Sequence, residues 1–136
     1  MTRVCLDSNV LVAAFIARGL CADLLKLVVS EYQLVVPEVV AEEVLRVLRT
    51  KLKASQTALS AVQAVLDRCD IVPRGKAPSP ISLRDPDDER VLADAVSAGA
   101  EILVSGDQDL LVVAKESPIR ILSPRAFLTL ARGGTL

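Results

Sequence analysis

The chain has 136 residues, 51% of them apolar but only 2% aromatic, and a formal net charge of −1. That length suits one domain with a core of Val, Leu, Ile and Ala, which favours buried parallel strands under helices; the charge balance excludes a general basic field for nonspecific nucleic-acid binding. The absence of histidine excludes Ser-His-Asp and Cys-His nucleophiles and histidine zinc sites, and leaves carboxylates with a hard cation such as Mg²⁺ or Mn²⁺ as the tools for catalysis near neutral pH.

In chain order, Arg3–Leu6 (RVCL) reads as a strand ended by Asp7-Ser8-Asn9, with helical patterning from Val10 to about Ala17. A helix over Leu20–Ser30 starts after Gly19, Gln33–Val36 is a strand stopped by Pro37, and the next helix runs from about Glu38 to Leu52. Ser55 is placed to cap another helix, and Asp70–Pro73 (DIVP) is a third strand. Arg74–Ser82 is the one loop rich in Pro, Gly and Ser. A helix over Pro86–Ala98 stops at Gly99, and Glu101–Ser105 is the fourth strand. A helical turn follows Asp107, Ile119–Leu122 is the fifth strand, and Pro124 starts a last helix to about Ala131. This alternation predicts an α/β fold with a mainly parallel sheet of about five strands. Cys5, Cys21 and Cys69 form no C-x-x-C pair, no signal-peptide pattern is visible, and no apolar run reaches the roughly 18 residues of a membrane span. A reducing, cytoplasmic setting without membrane association is expected.

The acids repay closer placement. Ligands of open parallel sheets sit beyond the carboxyl ends of the strands at the switch in strand order. Asp7 directly follows the first strand, and Asp107 follows the fourth after Ser105 and Gly106, so neighbouring first and fourth strands would open both carboxylates into one crevice. At about 100° per residue, Val40, Val44, Val47 and Leu48 form the apolar stripe of the third helix; Glu43 falls at its edge and Glu42 nearly opposite. In "LRDPDDER" (Leu83–Arg90), Asp88 shares a face with Val91, Leu92 and Ala95, whereas Asp87 and Glu89 lie to either side and Asp85 fits a cap before Pro86. Each acid has an ordinary alternative. Asp7 and Asp107 could be caps, Glu43 a surface charge, and Asp88 and Asp109 partners of a helix dipole. For Asp7, Glu43, Asp88 and Asp107, four such coincidences on one face are the less economical account.

With those residues assembled, the chain resembles the PIN-domain family of metal-dependent nucleases, and most of all its VapC-like branch, the toxin component of toxin–antitoxin systems. "LDSNVLVAAF" is similar to the first-strand motif, "PEVVAEEVLRVL" to the helix of the second acid, and "RDPDDERVLADAVSAGAEILVSGDQDLL" to the most specific segment. The resemblance covers nearly the whole chain and implies a single PIN-like domain over 1–136, a three-layer α/β/α sandwich. It implies catalytic, metal-holding roles for Asp7, Glu43, Asp88 and Asp107, assistance to the metal from Asp109, and support from Ser8, Asn9 and Ser105. The expected chemistry is hydrolysis of RNA phosphodiester bonds with Mg²⁺ or Mn²⁺, in a toxin that pairs with a small antitoxin and forms a homodimer. The basic run Arg46, Arg49, Lys51 and Lys53, with Arg18 as a further candidate, would contact RNA phosphates; solubilising charge is the plain alternative. A haloacid-dehalogenase-type phosphohydrolase is disfavoured because Asn9 stands where its second Asp is needed. A phospho-receiver is disfavoured because DIVP offers no acceptor Asp after the third strand. A catalytically silent PIN-like RNA- or antitoxin-binding protein remains the alternative.

Overall fold

In the computed structural model, which describes residues 1–133, five strands form one sheet. They are β1 (Arg3–Leu6), β2 (Gln33–Pro37), β3 (Asp70–Val72), β4 (Ile102–Val104) and β5 (Arg120–Leu122), in the order β3-β2-β1-β4-β5 and parallel throughout. Helices α1 (Ser8–Ile16) and α2 (Leu20–Glu31) carry the chain from β1 to β2, and α3 (Glu38–Arg46) and α4 (Gln56–Asp67) from β2 to β3. Helix α5 (Pro86–Ser97) leads into β4; α6 (Gln108–Leu111) and a 3₁₀ turn (Ala114–Glu116) lead to β5, and α7 (Pro124–Ala131) follows.

Successive strand residues point to opposite faces of a sheet. Val4, Cys5 and Leu6 of β1, Val35 and Val36 of β2, and Leu103 and Val104 of β4 are all fully buried, so both faces are covered by helices and the sheet forms the middle of three layers. The aromatic content is low enough that one pair stands out: Tyr32 meets Phe127 edge-on at 5.4 Å where α2 packs on α7. Ser55, Asp85 and Ser123 cap α4, α5 and α7 through their side-chain oxygens, with proline opening the latter two. No helix among the described residues is long and apolar enough to cross a membrane.

The expected helix over Glu38–Leu52 is not uniform. The α-helix ends at Arg46, and a π turn spans Val47–Lys51, where the Leu52 N–H donates to the Val47 carbonyl at 3.1 Å. The Thr50 hydroxyl donates to the Arg46 carbonyl at 2.6 Å, engaging a backbone acceptor that an α-helix would give to residue 50, as Ser and Thr do when they bend helices. The chain leaves through Lys53 in the left-handed conformation, at φ 50°.

Strands β1 and β4 are neighbours, and the connections run outward from them in opposite directions, β1 to β2 to β3 and β4 to β5. Their carboxyl ends therefore flank the switch point of the sheet. The register pairs Leu6 with Val104; the next residues along each strand are Asp7 and Ser105.

Candidate functional site

Asp7 is tied in from all sides. Its backbone N–H donates to the Val104 carbonyl at 2.9 Å, continuing the β1–β4 ladder past the last strand residue, and its own carbonyl accepts from Val10 and Leu11 as α1 begins. The side chain caps α1: Oδ1 accepts from the Ser8 N–H at 2.8 Å, and Oδ2 accepts from the Ser105 hydroxyl at 2.8 Å. Ser105 is fully buried, and its Oγ also accepts the Asp107 N–H at 3.0 Å. One hydroxyl thus links the carboxylate after β1 to the backbone of the acid after β4. Asp107 in turn caps α6, accepting from the Asp109 N–H at 2.9 Å.

Burial pushes the Asp7 carboxyl above its ordinary range; the hydrogen bonds from Ser105 and Ser8 oppose the rise, and Glu43 and Asp107 add to it by repulsion. Asp88, in the first turn of α5, is pushed up to about 7 by partial burial first, then by hydrogen-bonding proximity to Asp107 and by the charges of Asp107, Asp7 and Asp85. Asp107 thus acts on both Asp7 and Asp88, Asp7 acts on Asp88, and Glu43 acts on Asp7 from the side of α3. Glu43 is half-buried on α3 and, with Ser8, Asn9, Val12, Ala13, Ile16 and Val47, lines a groove of about 270 Å³ beside α1. Asn9 is exposed, its amide nitrogen 3.6 Å from where a Cβ on Gly106 would stand. Among the described residues, no group of three or more acidic, histidine or cysteine side chains is arranged to hold an ion as it stands.

The basic residues divide. Arg46, Arg49, Lys51 and Lys53 are all exposed on or just beyond α3 and the π turn, but Arg49 lines a depression with Leu45, Gln56 and Leu59 against α4, not the groove that holds Glu43. Instead, the ion pair to a candidate acid among the described residues comes from Arg84, with Nη2 3.7 Å from Asp109 Oδ1. Sequence reasoning passed over Arg84, and also Asp94, a carboxylate on α5 only 1% exposed and paired with Arg90 at 2.7 Å. A signal for Asp94 existed: it follows Val91 by three positions, on the same apolar face, and lies four after an arginine.

An all-parallel α/β sandwich with carboxylates gathered at the switch point defines a class before it defines a family. A PIN domain family model matches residues 3–109, and the chain belongs to the PIN-domain family. No curated protein sequence matches significantly. Solved structures share the fold. VapBC2 from Rickettsia felis, bound to a DNA fragment from its promoter, is similar with a TM-score of 0.64 and 18% identity, over 89% of this chain and 97% of that one. DNA-bound VapBC from Salmonella typhimurium gives 0.65 and 17%, over 91% and 99%. FitAcB from Neisseria gonorrhoeae gives 0.61 and 12%, over 90% and 98%.

Proposed function

We propose that this protein is a metal-dependent endoribonuclease that hydrolyses RNA phosphodiester bonds, and that it is the toxin of a toxin–antitoxin pair. The observation that supports the reading is the meeting of Asp7, Asp88 and Asp107 at the switch point, with Glu43 acting on Asp7, where burial first and repulsion between the acids second raise Asp7 and Asp88. Such crowding is unfavourable for the protein alone and is relieved by a cation.

The donor set fits Mg²⁺ or Mn²⁺: all oxygen, no histidine, and no thiolate among the acids. Asp7 and Asp88 are the foremost candidates to hold the ion, with Asp107 and Glu43 completing the shell or orienting the attacking water, and Asp109 assisting. When bound, the ion supplies a more acidic water and neutralises charge building on the phosphoryl oxygens. The chain's own residues set the geometry. Ser105 fixes Asp7 against Asp107 through one hydroxyl, and the Ser8 N–H holds the other Asp7 oxygen. Both carboxylate oxygens of Asp7 keep lone pairs beyond those bonds.

The fold likeness to VapBC and FitAcB supports a small antitoxin partner. The apolar groove beside α1 that reaches Glu43, and a second of about 450 Å³ lined by Phe15, Ile16, Leu52 and Val62, are surfaces that fit its apolar residues.

Asp7→Asn and Asp88→Asn each test the reading, since asparagine keeps the shape and, at position 7, the cap. Each is expected to lower Mn²⁺-dependent cleavage of RNA by roughly a hundredfold or more, with an unchanged circular dichroism spectrum. Undiminished cleavage in both variants sinks the site. RNA or antitoxin binding by wild-type protein without turnover gives the silent binder instead, and toxicity on expression relieved by either substitution supports the toxin.

A further inference from the structure

Between β3 and α5 the chain runs back as a strap against α5, and three side chains of that helix hold it. Asp94, although ionisable, is only 1% exposed. Its Oδ1 accepts from Arg90 Nε at 3.0 Å, from Arg90 Nη2 at 2.7 Å and from the Gly75 N–H at 3.1 Å. Arg90 Nη2 also donates to the Ala77 carbonyl at 2.9 Å. A Cβ at position 75 would stand 2.9 Å from Asp94 Oδ1, so glycine is what lets the strap come this close. At the other end, Glu89 Oε2 accepts the Leu83 N–H at 3.0 Å, while Ile81 and Leu83 pack on the core.

The strap is therefore fixed at both ends, and the residue immediately after its last anchor is Arg84. Arg84 carries an 87% exposed side chain whose guanidinium reaches Asp109. The other ion pairs among the described residues, Arg3–Asp70, Arg74–Glu42 and Arg90–Asp94, involve none of the candidate-site acids. An RNA strand brings more negative charge to a site already rich in carboxylates, and its approach needs a cation at the rim. An exposed pair at 3.7 Å contributes little and exchanges readily. The guanidinium fork matches phosphate oxygens, and an anchored backbone reduces the ordering lost on binding.

Resting on the ribonuclease reading, we infer that Arg84 is the cation that grips a backbone phosphate of the substrate RNA at the acidic crevice, and that Glu89 is a positioning residue that aims it. In the free protein Arg84 rests on Asp109; with RNA bound it turns to the phosphate.

The test is fluorescence anisotropy of a short mixed-sequence single-stranded RNA on the full chain, with Ca²⁺ in place of Mn²⁺ to suppress turnover, over a series of salt concentrations. Arg84→Ala is expected to weaken binding about tenfold and to flatten the slope of log affinity against log salt by about 0.7, one phosphate contact. Arg84→Lys is expected to restore the slope and part of the affinity. Arg120→Ala, exposed at the amino end of β5 and so at the opposite end of the sheet, is expected to change neither. Glu89→Ala is expected to flatten the slope although Arg84 is still present, and to add nothing in an Arg84→Ala background; additive losses overturn the positioning role. Wild-type affinity and slope in Arg84→Ala, from a wild-type protein that cleaves RNA, overturn the inference alone. A wild-type chain that neither binds nor cleaves RNA overturns the ribonuclease reading and this inference with it.

Discussion

At the scale of single residues, Asp88 has the sharpest consequence for pH. Its carboxyl is raised from 3.8 to about 7 in the folded protein. An acid whose folded value lies above its unfolded one binds its proton more tightly when folded. Stability is therefore retained at low pH and lost as pH rises from about 4 through about 7. In EDTA, Asp88→Asn should melt above the wild type when the pH exceeds that upper midpoint, and the two melting curves should converge toward the lower one. Equal melting temperatures across the whole range would contradict the crowding of acids. Asp94 predicts the opposite sign. Its deletion strands Arg90 and the Gly75 N–H, so Asp94→Ala should destabilise by about 3 kcal/mol, read as a fall in the denaturant midpoint. Helical arithmetic was enough to single out Glu43 and Asp88, because each sits at a defined angle to an apolar stripe. The same arithmetic could have marked Asp94, four after Arg90, but it gave no reason to look at Arg84, whose position depends on where a proline-rich strap crosses a helix, and no local pattern encodes that crossing.

At the scale of elements, the strands were readable to within a residue or two because each is a short Val/Ile/Leu run between breakers, such as Pro37 closing β2 and Gly99 before β4. The caps at Ser55 and Asp85 were equally legible, since a side-chain oxygen before a helix has few other uses. The π turn was not. "VLRTKLK" continues the apolar spacing of α3, and one hydroxyl on Thr50 redirects the carbonyl of Arg46 without altering that pattern. The turn ends on Lys53 at φ 50°, a conformation that costs an L-residue with a Cβ about 1 kcal/mol or more. Lys53→Gly should raise stability by about 0.5–1 kcal/mol. If Lys53 also contacts RNA, as the basic run in the sequence leads one to expect, the same variant should bind RNA more weakly, and the two measurements together separate backbone strain from charge. A melting temperature lowered by Lys53→Gly would mean the lysine side chain holds the turn.

At the scale of the molecule, the core is aliphatic and continuous, from Val4 and Leu24 through Val40 and Leu92 to Phe127. With so few aromatics, Phe127 carries an unusual share of the α2–α7 contact, and Phe127→Ala should cost about 3–5 kcal/mol in urea unfolding. The sheet also couples the candidate site to the whole fold, because Asp7 continues the β1–β4 ladder and starts α1. An ion held by these acids should therefore stabilise the entire domain in proportion to the logarithm of its concentration above the dissociation constant. Thermal melts with increasing Mn²⁺ should climb for the wild type and stay flat for Asp88→Asn. A wild-type melt indifferent to Mg²⁺ and Mn²⁺ would remove the metal from the proposed mechanism.

The double employment of Asp7 has a bearing on genetics. If the protein is toxic, cells that survive its expression will carry lesions in it, and those lesions should sort by where they fall. Asp88 is half-exposed on a helix that another residue caps, so many substitutions there should leave soluble, inert protein that still titrates antitoxin. Asp7 joins two strands and a helix, and its two oxygens accept from Ser8 and Ser105; asparagine keeps the shape and one acceptor for the cap, while its amide nitrogen can only donate toward the Ser105 hydroxyl. Survivors altered at Asp7 to anything else should accumulate little folded protein. A toxin gene under selection for silence would thus drift through position 88 far more freely than through position 7, and inert copies should be recognisable by an intact first strand beside a degraded "DPDDER".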